Sequence, residues 1–337
     1  MLSRCRRWSP VIAGVLCVAA SVSFVAAAPT CPPTLAPPTQ DEVRAALRDA
    51  RDHGALWTIE KDGHGSWLYG TIHVGNLAMS VPGPTLIRAL AAADVLAIEV
   101  DVTNPVIAQA IRAPRGSSEG PTVPPALLER LKALAEKACV PWEPLSKLPP
   151  MLTVAALMAL EARWDGLDPS YGTELVLAGV AQARRMPIIS LESPSIQRKA
   201  LSERPLDRQL AAVERVTAAL EQGHVRPAVR ALARAWQDGD LVTIADYEQW
   251  SGSASSPEAK EDMERMVFGR NPDLAAAIDL AHREGKRVFA ATGILHMVGD
   301  GGLPKLLQKL GYTVERVSFG GESGERLDRD PALRHSR

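Results

Sequence analysis

Apolar residues in the first third of the chain come in short runs bounded by turn residues. Ala55–Glu60 and Ser66–His73 flank Lys61-Asp62-Gly63-His64-Gly65. Asp-Gly and His-Gly between apolar runs predict a hairpin, with Trp67–His73 as its second strand. Asp94–Val100 is a continuous apolar run ending in acid, the pattern of a buried strand. Pro187–Leu191, Lys286–Thr292 and Tyr312–Val317 read as further strands. Helical spacing marks Asp41–Asp52, Pro84–Ala93, Pro125–Ala138, Pro150–Arg163 and Gly172–Arg185. It continues from Pro205 to about Phe268, with breaks near Gly223, Gly239 and the small-residue loop Ser251–Ser256. Asn271-Pro272 opens another helix that ends at Gly285, and Pro304–Leu310 is capped by Gly311. The ends of the chain supply strands and the middle supplies helices. The predicted fold class is therefore α/β: a mixed, partly parallel sheet covered by helices, with a large helical insertion in the middle of the chain.

The flanks change this picture. Arg4, Arg6 and Arg7 precede an apolar run from Val11 to Val25, followed by Ala26, Ala27 and Ala28. That order is a secretory signal peptide, read over residues 1–28, with Val25 and Ala27 at the small-residue positions of a cut after Ala27. The alternative is an uncleaved anchor, but the run is short for a span and its end is cleavable. No later segment approaches about 20 uninterrupted apolar residues, so no membrane span is expected after cleavage. Residues 29–40 are a Pro-rich linker, 41–319 one α/β domain, and 320–337 a charged, flexible tail. The expected location is periplasmic or secreted. Of the four cysteines, Cys31 and Cys139 would remain; an oxidising compartment permits their pairing, and sequence does not say whether they are close. A formal net charge of −1 offers no global field for nucleic acid or an anionic membrane. With only 4% aromatic residues, the core must rest on Leu, Val, Ile and Ala.

Two related segments carry the candidate chemistry: Gly70-Thr71-Ile72-His73-Val74-Gly75 and Gly293-Ile294-Leu295-His296-Met297-Val298-Gly299. Each Gly-x-x-His lies where an apolar strand runs out into a loop, the edge at which open α/β sheets bind ligands. Glycine admits close approach, and neutral imidazole is a metal ligand or an acid–base. Glu99 and Glu192 end two more strands in the same way. A single Gly-x-x-His is weak, and a histidine at a strand end is more often structural. The other histidines serve as controls: His64 in a turn, His53 and His282 near helix ends, His224 after a glycine and His335 in the tail.

The blocks LWTIEKDGHGSWLYGTIHVGN, DVLAIEVD, YGTELVLAGVAQARRMPIISLES, GRNPDLAAAI and ATGILHMVGDGGLPKLLQKLGYTVERV, in that order from Leu56 to Val317, resemble the TraB/GumN family and the related Tiki metalloproteases. The resemblance implies an α/β fold with a divalent metal ion, Mn or Co, held by His73, His296 and Glu99, Glu99 serving as ligand or general base; two His and one Glu would also suit Zn. It extends the site to Glu174, Glu192, Arg270 and Asn271. Many relatives carry Asp where this chain has Glu174, and Pro-Asp-Leu follows Asn271 in place of a charged helix. Taken alone, Glu174 is a first-turn helix acid, Asn271 an N-cap and Arg270 a surface ion-pair former. The resemblance implies an exported hydrolase of a peptide or small-molecule substrate. The alternatives are a binding or regulatory protein, of the exopolysaccharide or pheromone-shutdown type, and a metal-free esterase, which lacks a Gly-x-Ser-x-Gly.

Overall fold

The computed structural model describes residues 31–33, 36–112, 123–202, 205–253 and 255–319. The signal peptide expected over residues 1–28 and the tail over 320–337 lie outside the described residues, as do residues 29, 30, 34 and 35 of the linker. From Cys31 onward the described residues belong to one unit.

Strands β1 (Ala55–Lys61) and β2 (His64–Thr71) form the predicted hairpin, paired from Ala55↔Gly70 to Lys61↔His64. The loop is only Asp62-Gly63, tighter than Lys61–Gly65. Both residues have positive φ, 53° and 80°, the geometry that matches the twist of two strands at a two-residue turn. The remaining strands are β3 (Val95–Ile98), β4 (Ile188–Ser190), β5 (Val288–Gly293) and β6 (Thr313–Val317). Their order in the sheet is β4-β3-β5-β2-β1-β6. β4, β3, β5 and β2 are parallel, and β1 runs against both of its neighbours. The sheet is thus mixed and mostly parallel. β3 is buried along its whole length and β5 almost so, which explains their uninterrupted apolar sequences.

The predicted helices form with small changes at their ends. The helix expected over Pro150–Arg163 stops at Leu160, and Glu161–Asp165 tighten into a 3-10 turn closed by left-handed Gly166. Helices over Pro105–Arg112 and Pro194–Ser202 are additional. Each begins with proline at its first position, and the side chains of Asn104 and Ser193 accept hydrogen bonds from the amides of Val106 and Ile196. That local start signal was present in the sequence.

The main core fills the space between the sheet and its helices. Trp236 is fully buried there, and its Nε1–H donates to the carbonyl of Gly70 at 2.8 Å. The helical middle has a second core, in which Leu127, Leu131, Val154, Leu157, Val213 and Leu220 pack together. Cys31 and Cys139 form a disulfide, joining the segment before the helix Gln40–Arg48 to the end of the helix Pro125–Lys137. Among the described residues no helix is long and apolar enough to cross a membrane.

Candidate functional site

The parallel strands deliver the candidate residues to one edge. β2 and β5 are neighbours, with Gly70 opposite Thr292 and Thr71 opposite Gly293, so both Gly-x-x-His segments leave the sheet side by side. Glu99 follows β3, which pairs with β5 on its other side, and Glu192 lies just beyond β4. The edge is held by backbone as well. Thr173 opens the helix Thr173–Ala183, and its hydroxyl accepts from the amide of Ile72 at 2.9 Å, fixing the chain just before His73.

Gly293 is the pivot. A Cβ built there would stand 3.4 Å from Glu99 Oε1, 3.6 Å from His73 Nε2 and 3.7 Å from His296 Cδ2. Two imidazoles and a carboxylate therefore surround a position that glycine leaves clear. Gly70 serves the packing instead. A Cβ there would stand 2.2 Å from Ile294 Cδ1, so its absence lets the 3-10 turn Ile294–Met297, which carries His296, settle onto β2.

Each histidine is oriented through Nδ1. Asn271 Nδ2 donates to the carbonyl of Gly301 at 2.7 Å, which leaves Asn271 Oδ1 to accept from His296 Nδ1–H at 2.5 Å. The Nε2 of the neutral ring is then unprotonated and lies 3.5 Å from Glu99 Oε1. His73 Nδ1 is held by Glu174 Oε1. The other Glu174 oxygen is buried with no hydrogen-bond partner among the described residues.

Asn271 is thus not a helix cap. It is the first residue of the helix Asn271–Arg283, fully buried, and its amide bridges the His296 turn to the following loop. Arg270 is not a surface residue either: only 12% of its side chain is exposed. Its Nε lies 2.9 Å from Glu192 Oε1, its Nη2 donates to Glu192 Oε2 at 2.6 Å and to Glu99 Oε2 at 2.8 Å, and its Nη1 donates to the carbonyl of Met266. Glu99 Oε1 also accepts from the amide of Gly293 at 2.8 Å. Arg270 is therefore a positioning residue that locks Glu99 and the fully buried Glu192.

These contacts set the charges. Burial alone would drive the Glu99 carboxyl up, but His296, Arg270, His73 and the Gly293 N–H hold it down at about 2. Burial raises Glu192 against the pull of Arg270. The Glu174 carboxylate lifts the His73 imidazole to about 9, although 67% of that side chain is exposed. Burial pushes His296 down to about 4 in spite of Glu99.

The His296 shift has a measurable consequence. With the folded imidazole held at about 4 and the unfolded one titrating near 6.5, the unfolded chain takes up its proton first as pH falls. Stability is present above about pH 6.5 and is lost progressively toward about 4, by roughly 2 kcal/mol at about pH 4.5. The Glu99 contribution is retained over that window, because its folded value lies lower still. The raised His73 value works the other way, gaining stability as pH falls from about 9 to about 6.5, so the comparison starts below that range. Urea unfolding at about pH 6.5 and 4.5, in chelator, should show the drop in the parent and a smaller one in His296→Asn; equal drops would refute the assignment.

The remaining described histidines stay outside the cluster. His282 is buried, with Nδ1 2.9 Å from Ser66 Oγ and Nε2 3.1 Å from the Lys61 carbonyl, and His64 stacks on its ring. Both serve the hairpin and the helix behind it.

A mostly parallel sheet with His, Glu and Arg gathered at its carboxyl edge defines an α/β protein with one polar centre. The chain belongs to the TraB/PrgY/gumN family, whose sequence model matches residues 55–316. It is 25% identical over 274 residues to the uncharacterized protein YbaP of Escherichia coli (strain K12), an alignment covering 75% of this chain and 97% of that protein. The same values hold for YbaP of Shigella flexneri. No solved structure matches the chain significantly.

Proposed function

We propose that the cluster is the centre of a divalent-metal-dependent hydrolase acting on peptide bonds. The observation that carries this reading is the facing pair His296 Nε2 and Glu99 Oε1, with His73 Nε2 beside the same glycine. An unprotonated imidazole nitrogen and a carboxylate oxygen both offer lone pairs. A cation satisfies that arrangement; a hydrogen bond between the two does not. Asn271 and Glu174 hold the far nitrogens of the rings, as outer partners of metal-bound histidines do. Glu99 and Glu192 also share the single guanidinium of Arg270, two carboxylates against one cation.

Among the described residues no three His, Cys, Asp or Glu side chains stand in metal-binding geometry. The fit therefore rests on the chemistry of the donors, not on a preformed coordination shell. His73, His296 and Glu99 would hold the ion, which when bound supplies a water of near-neutral pKa and polarises a carbonyl. The chain's own part is to keep His296 neutral by burial, fix its Nε2 through Asn271, and keep Glu99 ionised through Arg270 and Gly293 N–H.

A second reading, a non-catalytic binding or regulatory protein, is favoured by one observation: both Glu99 oxygens already have partners. Elemental analysis of protein purified without chelator separates the two, alongside His73→Ala and His296→Ala. Near-stoichiometric divalent metal in the parent, loss in both variants with the fold retained by circular dichroism, and hydrolysis of a peptide library that chelator abolishes are the expected results. No metal after reconstitution with Mn, Co and Zn would sink the hydrolase reading. Metal without turnover would favour the binder.

Export to the periplasm or beyond belongs to the same proposal. It is supported by the signal-like order of residues 1–28 and by the Cys31–Cys139 bond, which an oxidising compartment maintains. Cell fractionation should recover a form lacking the first residues; an unprocessed cytoplasmic form would overturn it.

A further inference from the structure

A cleft of about 460 Å³ is lined in part by the chain neighbours of Arg270, Asn271 and His296, although none of those three lines it. Phe268 and Gly269 precede Arg270, and Pro272 follows Asn271; Val298, Gly299, Asp300 and Gly301 follow His296. The Gly301 wall is joined to His296 through the Asn271 amide, by hydrogen bonds of 2.7 and 2.5 Å. The third wall comes from the helical middle of the chain, through Ile244, Tyr247 and Glu248.

The lining combines two chemistries. Phe268, Leu306 and the Tyr247 ring offer an apolar surface, backed by the buried Ile244 and Val298, while Glu248, Glu264 and Asp300 supply carboxylates. Among the described residues that line the cleft there is no Lys, Arg or His. Among the described residues none of these three carboxylates takes part in an ion pair or side-chain hydrogen bond. An apolar trough with unpaired carboxylates and aromatic rings complements a long side chain that is aliphatic along its stem and cationic at its tip. A neutral aliphatic chain would leave the carboxylates unused, and an acidic one would be repelled.

We propose that this cleft is a specificity pocket for an arginine or lysine side chain of a peptide, so that the substrate of the candidate centre is a basic peptide. The peptide-hydrolysis part rests on the reading above; the pocket itself does not, because it makes no use of His73, Glu99 or His296.

Binding tests the pocket separately from turnover. The probes are blocked, fluorescein-labelled alanine-rich hexapeptides that differ only at one central position: arginine, norleucine or glutamate. Fluorescence anisotropy at low salt should show the arginine peptide binding roughly tenfold tighter than the norleucine peptide, with the glutamate peptide weakest. The triple variant Glu248→Gln/Glu264→Gln/Asp300→Asn should lose this preference while its unfolding midpoint stays near that of the parent. His296→Ala should keep it. Equal affinity for arginine and norleucine peptides in the parent overturns the proposal, and so does a preference that survives in the triple variant. Arginine preference in a protein that holds no metal and cleaves nothing would end the hydrolase reading and leave the pocket standing.

Discussion

Arg270→Ala should lower the unfolding free energy by about 3–5 kcal/mol, the cost of leaving buried carboxylates without their counter-charge. Glu192 has no exposed side-chain surface and Glu99 has 14%, so neither can turn to water when the guanidinium is removed. Burial already pushes Glu192 toward its protonated form, and Arg270 is what opposes that. Arg270→Lys should recover only part of the loss. A compact ammonium can reach one carboxylate, whereas the planar guanidinium contacts Glu192, Glu99 and the Met266 carbonyl together. The combination Arg270→Met/Glu192→Gln should be more stable than Arg270→Met alone, because it removes one of the stranded charges. Urea unfolding near neutral pH measures all four. A loss below about 1 kcal/mol in Arg270→Ala would mean that the two carboxylates are less buried, or share a proton, and that Arg270 is not the element holding Glu99 ionised.

Removing the disulfide should be comparably costly. Cys31 and Cys139 are 108 residues apart, and closing a loop of that order restricts the unfolded chain by up to about 4–5 kcal/mol on the chain-entropy account, with measured losses of about 2–5 kcal/mol. The bond ties the beginning of the described chain to the helical middle, whose core is separate from that of the sheet. Cys139 itself sits in the left-handed region, at φ 53°. Serine at that position keeps the same backbone demand, so Cys139→Ser isolates the cross-link from the turn. Reductant should destabilise the parent by about the same amount as Cys139→Ser and leave that variant unaffected. A reductant effect confined to zero in both would show that the pair is not bonded in solution.

Much of the site was legible because parallel strands announce their own carboxyl ends. DVLAIE and VFAATG are apolar until the chain must leave the sheet, and the first polar or catalytic-type residues after each run therefore lie near one edge. The repeated Gly-x-x-His then marked two of those ends. The sequence could not show that β2 and β5 are adjacent: their partners lie more than two hundred residues apart along the chain. It also misdirects locally. Asn271-Pro272 has the form of a helix start, and Arg270 is a cation beside an exposed-looking turn. Both assignments reverse once the helix Asn271–Arg283 is laid behind the loop after His296, where an amide is the group able to satisfy an imidazole and a carbonyl together.

Turn chemistry and apolar periodicity act over a few residues. They are enough to define the hairpin, the buried strands, the helical middle and the residue types offered at the carboxyl edge. Folding in three dimensions was needed to settle which strands neighbour one another, that Cys31 bonds Cys139, that Arg270 faces two carboxylates, and that Gly293 has three site side chains around it. Those outcomes depend on which distant surfaces exclude water together, and burial is what turns a surface cation into a fixed counter-charge and a common histidine into a neutral ring.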